Sequence, residues 1–347
     1  MRNTNNLRIT GITPLIPPEE LIREIPLSDR GSETVYESRE IIEDIILGKD
    51  RRLLAVVGPC SIHDTAAALD YARKLKILRE QVLDRIYVIM RVYFEKPRSV
   101  LGWRGLIIDP YLDGSYRIEE GLRIARRLLL DLANMGMPAG SEMLDPIVPQ
   151  YVSDLISWAA IGARTTESQT HRNLASGLSM PVGFKNATDG SLASAVNAME
   201  SARAGHNFIG INPQGQTCVL TTLGNEASHI ILRGGRPGPN YYEETVEEAE
   251  EMIRELGIHP AVMVDCSHMN SGKKHIRQER VMRALLEQRR RNRQSIIGFM
   301  LESNLVAGNQ PIPEDLSRLN YGVSVTDECI GWKETEELLM EAYDAMG

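Results

Sequence analysis

Eight apolar, strand-like segments follow one another along the chain, and each ends on polar residues capable of chemistry. In chain order these ends carry Cys60; Arg91, Lys96 and Arg98; Glu142; Arg164; Lys185; Arg233; Asp265 and His268; and Glu302. A (β/α)8 barrel gathers the carboxyl ends of its parallel strands around one mouth, where its active site lies. The pattern therefore predicts an α/β TIM barrel whose polar strand ends form a single site.

Helical patterns such as TAAALDYARKLKILREQVL (65–83) separate the strand-like segments, and this alternation is typical of a parallel sheet. At 347 residues the chain exceeds the roughly 250 residues of a plain barrel. We therefore expect an N-terminal extension over 1–50, with regulatory or oligomer contacts, and a catalytic barrel over 51–347. A β-hairpin inserted at about 206–225 interrupts the rhythm, because two short strands there flank a Pro-Gln-Gly turn.

Composition excludes several classes of protein. The net charge of −8 argues against a nucleic-acid binder, and the basic run RRRNR (289–293) is typical of a solvated helix end. Four cysteines with no CxxC pair predict neither a disulfide framework nor a zinc knuckle. No run of 18 apolar residues and no signal sequence is evident, so we expect a cytoplasmic protein without a membrane partner.

Four residues form a candidate metal site: Cys60, His268, Glu302 and Asp327, the last in the loop beyond the eighth strand. The first, seventh and eighth strands are neighbours in a closed barrel, which would bring these side chains together. A thiolate, an imidazole and two carboxylates suit Mn, Fe, Co or Zn better than Mg or Ca. We predict one such divalent ion per subunit.

Six cations form a second candidate group: Arg91, Lys96, Arg98, Arg164, Lys185 and Arg233. Guanidinium groups bind carboxylate and phosphate oxygens bidentately, and lysine acts as a point charge. Gly234 and Gly235 are predicted to add backbone N–H donors as an anion nest. Lys96, flanked by cations, is predicted to have a lowered pKa and to donate a proton. We call the group of six cations the cationic cradle. A metal ion beside it predicts metal-dependent carbon–carbon bond formation between phosphorylated, carboxylated small molecules.

Nine motifs carry a resemblance to one family. They are GPCSIHD (58–64), MRVYFEKPRS (90–99), GWRGLI (102–107), IGARTTESQTHR (161–172), PVGFKN (181–186), ILRGG (231–235), VDCSH (264–268), ESN (302–304) and YGVSVTD (321–327). Together they resemble the type I 3-deoxy-D-arabino-heptulosonate 7-phosphate (DAHP) synthases over nearly the whole chain. The resemblance implies a metal-dependent transferase with a TIM barrel, usually a homodimer or homotetramer.

The resemblance also implies the reaction. These enzymes condense phosphoenolpyruvate with erythrose 4-phosphate, the first step of the shikimate pathway to aromatic amino acids. C3 of phosphoenolpyruvate joins the metal-activated aldehyde, water adds at C2, and phosphate leaves with C–O cleavage.

Motif by motif, the resemblance implies a role for each site residue. The metal ligands fall on Cys60, His268, Glu302 and Asp327. Phosphoenolpyruvate contacts fall on Arg91, Lys96, Glu142, Arg164, Lys185 and Arg233. Erythrose 4-phosphate contacts fall on Lys96, Pro97, Arg98, Ser99 and Asp327. The catalytic set is Lys96, His268, Asp327 and Cys60, and the first three are all candidates for the proton carrier. Three small departures from the family pattern are Ser99, Arg104 and Ala187, where Thr, Lys and Gly are commoner.

In this family the hairpin and the N-terminal extension form a feedback site for an aromatic amino acid. The segment FIGINPQGQ, with Gly210, resembles tyrosine-sensitive members, whereas phenylalanine-sensitive members tend to carry Ser there. Losing a side chain at this position would make room for the tyrosine hydroxyl, so we expect tyrosine as the effector. The expected pocket residues are Pro149, Gln150, Leu174, Ser179, Phe208, Gly210 and Leu220.

Three alternatives remain open. A Schiff-base aldolase, or another metal-dependent aldolase acting on phosphorylated sugars, is the nearest, with Lys185 as the amine nucleophile of the Schiff-base form. A sister synthase could join phosphoenolpyruvate to a different sugar phosphate such as arabinose 5-phosphate. A non-catalytic sensor of aromatic amino acids could use the hairpin alone.

Overall fold

The structure is a computed structural model that describes residues 2–98, 100–291 and 293–347. These residues form ten strands: β1 Leu53–Gly58, β2 Ile86–Arg91, β3 Ala139–Glu142, β4 Trp158–Ile161, β5 Val182–Lys185, β6 Asn207–Ile211, β7 Thr217–Thr221, β8 Ser228–Leu232, β9 Val262–Asp265 and β10 Ile296–Glu302.

Eight of these strands close into a barrel with the order β1-β10-β9-β8-β5-β4-β3-β2, and every neighbouring pair is parallel. Nearly every residue of these strands is buried, which explains their continuous apolar sequences. The predicted TIM barrel is confirmed. Because the pairing is parallel, all eight carboxyl ends meet at one mouth, and Gly58 of β1 pairs there with Glu302 of β10.

The described residues also form ten α-helices: α1 Pro18–Glu24, α2 Asp29–Ile46, α3 Thr65–Val82, α4 Ile118–Met135, α5 Pro149–Val152, α6 Gln169–Ala175, α7 Ala193–Arg203, α8 Glu243–Glu255, α9 Gln278–Arg290 and α10 Trp332–Ala345. The side chain of Asp64 caps the first turn of α3, and Gly136, with a φ of 80°, ends α4 in a left-handed turn. Helix α9 ends within the basic run, as predicted. No described helix combines the length and the apolar composition needed to cross a membrane.

Two additions decorate the barrel. In α2, Ile42, Ile45 and Ile46 pack in one buried cluster with Leu54 and Val56 of β1, so this helix docks on the barrel. The inserted hairpin is also confirmed, because β6 and β7 pair antiparallel in a separate two-stranded sheet. In the sequence, the hairpin lies between β5 and β8, two strands that are neighbours in the barrel.

Candidate active site

A cavity opens at the mouth of the barrel, and its lining comes from separate strand ends. It is lined by Lys96, Pro97, Arg98, Glu142, Gly162, Ala163, Arg164, Lys185, Arg233, His268, Lys273, Thr326 and Asp327. Nine of these residues were predicted site residues. Ser99, predicted to contact the sugar phosphate, lies outside the described residues. The strand β2 ends at Arg91, so Lys96 and Arg98 lie in the loop after it rather than on the strand.

Three of the four predicted metal ligands form a close cluster. The Sγ atom of Cys60 and one carboxylate oxygen each from Glu302 and Asp327 all lie within 4.8 Å of one another. His268 lies beside them, with its Nε2 atom 3.8 Å from Oε1 of Glu302. His268 has a φ of 52°, a left-handed conformation that is uncommon for a residue with a side chain. Such backbone strain is concentrated at functional sites.

Glu302 is the electrostatic centre of the cluster. Its side chain is buried, and Nη2 of Arg91 donates to Oε1 at 2.9 Å. Burial alone would raise the pKa of Glu302, but His268, Arg91 and Lys96 together lower it to about 2. The carboxylate therefore stays ionised at neutral pH, the form in which it binds a metal ion.

Lys96 contacts the same cluster through Cys60. Its Nζ atom donates to the backbone oxygen and to Sγ of Cys60, both at 3.1 Å. Burial works to lower the pKa of Lys96, but Cys60, Glu302 and Glu142 outweigh it and raise the pKa above its ordinary value. The predicted lowering is therefore wrong, because acidic groups around the Lys96 ammonium outweigh its cationic neighbours. Burial and the Glu302 carboxylate likewise raise the pKa of the Cys60 thiol.

Arg91 connects the candidate metal site with the other residues of the cationic cradle. Besides its bond to Glu302, the guanidinium donates to the backbone oxygens of Pro59 and Cys60 and lies 3.5 Å from the ring centre of Tyr93. Its Nη1 atom is buried and has no hydrogen-bond partner among the described residues. A buried unpaired donor is costly, so this atom marks a place where a ligand oxygen would be stabilised.

The other cations surround the same cavity with different exposure. Arg164 is exposed, and its Nη1 donates to the backbone oxygen of Pro97 at 3.4 Å. Arg98 is also exposed, and its Nε donates to the backbone oxygen of Trp103. Arg233 is largely buried, and burial lowers its pKa against the opposing effect of Asp265. Exposed and buried cations thus converge on one opening.

The predicted glycine nest is not available to a ligand. The N–H of Gly234 donates to Oδ1 of Asn240 at 2.6 Å, and the N–H of Gly235 donates to the backbone oxygen of Gly238. The nest prediction is therefore wrong, because the loop's own acceptors use both donors. Gly234 instead permits close packing, since a Cβ atom there would lie 2.8 Å from the backbone of Asn270.

Two further residues of the mouth had no predicted role. Lys273 lines the cavity, and its Nζ lies 3.6 Å from Oδ1 of Asp327. Asp265, noted only as a strand end, forms a buried ion pair with Lys185 at 2.8 Å. Lys273 lies in a loop, where no periodic sequence pattern marks a functional residue. Asp265 could have been recognised as a site residue, because it is a carboxylate at the end of an otherwise apolar strand.

The predicted effector residues lie on the hairpin, on the helices α5 and α6, and just after α6, and α6 contacts β6 of the hairpin. Pro149 and Gln150 begin α5, Leu174 is in α6, and Ser179 follows that helix. Phe208 of β6 pairs with Leu220 of β7. A Cβ atom at Gly210 would lie 2.5 Å from Cδ1 of Leu220, so any side chain at position 210 requires Leu220 to move.

The fold and this site define a class: a (β/α)8 barrel enzyme with a candidate metal cluster and a cationic anion cradle at one mouth. The sequence model of the DAHP synthetase I family matches residues 25–340. The chain belongs to that family.

Relatives of known name are similar over nearly their whole lengths. The Tyr-sensitive phospho-2-dehydro-3-deoxyheptonate aldolase of Escherichia coli K12 is 54% identical, over 98% of this chain and 95% of the relative. The Phe-sensitive protein of the same organism is 49% identical, over 99% and 97%. The structure of a phospho-2-dehydro-3-deoxyheptonate aldolase from Francisella tularensis superposes with a TM-score of 0.96 at 50% identity, covering 98% of each chain.

Proposed function

We propose that the chain condenses phosphoenolpyruvate with erythrose 4-phosphate to DAHP and phosphate. The observation that carries the proposal is the juxtaposition of the Cys60–Glu302–Asp327 cluster and the cationic cradle at one mouth. Family membership and 54% identity to a Tyr-sensitive relative support the same reaction. DAHP supply is the first step of the shikimate pathway, so the chain would serve aromatic amino acid synthesis.

The donor set fits a transition ion. A thiolate, two carboxylates and the nearby imidazole favour a borderline ion over Mg or Ca, so we propose one Mn, Fe, Co or Zn ion held by Cys60, His268, Glu302 and Asp327. Such an ion would act as a Lewis acid that polarises a carbonyl oxygen. Because the pKa of Glu302 is lowered, its carboxylate is already ionised, and no proton has to leave before it binds a metal ion.

The cradle binds the phosphate and carboxylate of phosphoenolpyruvate. Arg164, Lys185 and Arg233 line the cavity and supply its cations. Arg91 is not among the lining residues, and its unpaired Nη1 is proposed as a buried donor below them. Lys96 and Glu142 complete the proposed contacts. Fixing both ends of the substrate orients its C3 carbon toward the aldehyde carbon of the second substrate, which lowers the entropic cost of reaction.

The second substrate is assigned to the loop after β2. Lys96, Pro97 and Arg98 line the cavity, and Asp327 in the loop after β10 lines the same cavity. We propose that Arg98 and its neighbours bind the phosphate of erythrose 4-phosphate. Lys96 is the proposed proton carrier, because its ammonium is charged and contacts both the Cys60 cluster and the cavity.

A Schiff-base reaction at Lys185 is disfavoured by its ion pair. The Nζ atom lies 2.8 Å from Oδ2 of Asp265, with both groups buried. A paired ammonium has no lone pair with which to attack a carbonyl. Lys185 is therefore better suited to bind an anion than to act as a nucleophile.

Tyrosine is the proposed feedback effector, bound between the hairpin and the helices α5 and α6. The crowding at Gly210 supports this, because the Cβ atom of a serine there would lie 2.5 Å from Cδ1 of Leu220 and would force that side chain to move. The extension over 1–50 is proposed to contribute regulatory or oligomer contacts in a homodimer or homotetramer. The hairpin also offers an apolar surface for a contact between subunits, because its cross-strand pair Ile209 and Val219 is 79% and 70% exposed.

The reaction is tested by following the loss of phosphoenolpyruvate absorbance with the purified chain. We expect consumption only with erythrose 4-phosphate, loss of activity in EDTA, recovery with Mn²⁺, and inhibition by tyrosine. Equal consumption with arabinose 5-phosphate would contradict the proposed second substrate. Borohydride trapping of a lysine adduct in EDTA would instead support a Schiff-base aldolase.

A further inference from the structure

Asp265 is the last residue of β9, and both of its carboxylate oxygens are fully used. Oδ2 accepts from Nζ of Lys185 at 2.8 Å and pairs with Nδ1 of His268, also at 2.8 Å. Oδ1 accepts from the N–H of Ser267 at 3.0 Å and from its hydroxyl at 2.7 Å. One buried carboxylate therefore touches Lys185 of the cradle and His268, the predicted metal ligand beside the cluster.

The contact with His268 determines which ring nitrogen faces the cluster. Nδ1 also lies 2.7 Å from Oγ of Ser267, whose hydroxyl donates to Oδ1 of Asp265. Both neighbours of Nδ1 are therefore acceptors, so the proton of the neutral ring resides on Nδ1 and the lone pair on Nε2. The Nε2 atom is the one that lies 3.8 Å from Glu302. Histidine ligands of metals commonly have such an outer carboxylate partner, which fixes the tautomer and the ring orientation.

The contact with Lys185 fixes the other half of the site. The lysine side chain is buried, and Asp265 is its partner within ion-pair distance. A long flexible side chain held by a carboxylate loses less freedom when an anion binds to it. The carboxylate also offsets the repulsion between Lys185 and the neighbouring cations of the cradle.

We propose that Asp265 is a positioning residue that orients His268 toward the metal cluster and Lys185 toward the bound phosphoenolpyruvate. The proposal rests on the function proposed above, since it assigns a role in that same site. It predicts that one substitution weakens metal binding and substrate binding together.

Asp265→Asn is the sharpest variant, because an amide accepts on one atom only. Whichever way the amide turns, its NH2 group faces donors: the Ser267 N–H on one side, or Lys185 and His268 on the other. We expect roughly 10- to 100-fold weaker binding of Co²⁺ to the metal-free protein, followed by thiolate-to-cobalt absorbance. The KM for phosphoenolpyruvate should rise several-fold as well.

A matched control is Glu250→Gln, which alters another buried carboxylate. Glu250 pairs with Arg254 and Arg293 beside Ser295, which precedes β10 and so lies away from the mouth. It should lower stability while leaving Co²⁺ affinity and KM unchanged. If Asp265→Asn does not fold, Ser267→Ala removes the hydroxyl that lies 2.7 Å from both Oδ1 of Asp265 and Nδ1 of His268, and should weaken Co²⁺ binding several-fold.

Wild-type Co²⁺ affinity in a folded Asp265→Asn or Ser267→Ala protein would overturn the positioning role. In Asp265→Asn, a Co²⁺ effect with an unchanged KM would also overturn it, because the link to Lys185 would be absent. Failure of the proposed function is separate: the unsubstituted chain would then not consume phosphoenolpyruvate with erythrose 4-phosphate.

Discussion

Arg91 and Glu302 form a buried ion pair at 2.9 Å that connects the anion cradle to the metal cluster. Removing one partner of such a pair leaves an uncompensated buried charge. We therefore expect Arg91→Ala to lower the free energy of unfolding by about 3–5 kcal/mol, measured by urea denaturation in EDTA.

The control for this pair is Arg123→Ala. Arg123 pairs with Glu24 and Glu119, but all three side chains are about one-third or more exposed. Exposed pairs contribute about 0–1 kcal/mol. Equal losses of stability in the two variants would contradict the account of Arg91.

Cys60 should be indispensable for metal-dependent turnover. Its Sγ atom is the only sulfur of the Cys60–Glu302–Asp327 cluster, so Cys60→Ser should abolish thiolate-to-cobalt absorption. Activity should fall by more than the roughly 10- to 100-fold that is typical of losing an outer partner of a metal ligand. The matched variant Cys218→Ser changes a half-buried cysteine on β7 and should keep both properties. Unchanged turnover in Cys60→Ser would refute the metal assignment.

Gly210 should determine the choice of effector. In Gly210→Ser the new Cβ atom meets Leu220, so the pocket changes shape and tyrosine inhibition should weaken at least tenfold, about 1.4 kcal/mol. Inhibition by phenylalanine should strengthen relative to tyrosine. Thr217→Ser, an exposed position on β7, is the control and should leave both inhibition constants unchanged. Stronger inhibition of the unsubstituted chain by phenylalanine would contradict the assignment.

His229 should make stability depend on pH. It is buried in β8, and Nε1 of Trp158 donates to its Nε2 at 2.9 Å. Burial lowers its pKa from 6.5 to about 4, so the unfolded chain takes up the proton first as the pH falls. Stability present above pH 6.5 is therefore lost on acidification, by about 2 kcal/mol between pH 7 and pH 5.

The measurement is urea denaturation at both pH values for the unsubstituted chain and for His229→Gln. Glutamine keeps an acceptor for Trp158 but does not titrate in this range. The loss on acidification should be smaller by roughly that amount in the variant. Identical pH dependence in the two proteins would show that His229 is not the titrating group.

Much of the fold was predictable because a parallel barrel imposes a simple rule on sequence. Its strands are buried on both faces, and a residue such as Glu302 interrupts the apolar run only where the strand meets the mouth. Cys60, Glu302 and Asp327 come from distant parts of the sequence, yet barrel closure between β1 and β10 brings them together.

Other features depend on contacts that no local pattern reveals. The direction of the Lys96 pKa shift follows from its distance to Cys60 and Glu302, whereas the sequence shows only neighbouring cations. The N–H groups of Gly234 and Gly235 are used by acceptors from a loop whose course cannot be read from composition. Lys273 lines the cavity from a loop in which its own backbone is left-handed, with a φ of 60°. The sequence does not reveal this loop conformation either.

The most direct test of the central claim is anomalous diffraction from crystals grown with Mn²⁺ and phosphoenolpyruvate. We expect one anomalous peak per subunit, bonded to Cys60, His268, Glu302 and Asp327, with the phosphoenolpyruvate phosphate and carboxylate on Arg164, Lys185 and Arg233. A peak remote from Cys60, or phosphoenolpyruvate bound away from the mouth of the barrel, would contradict it.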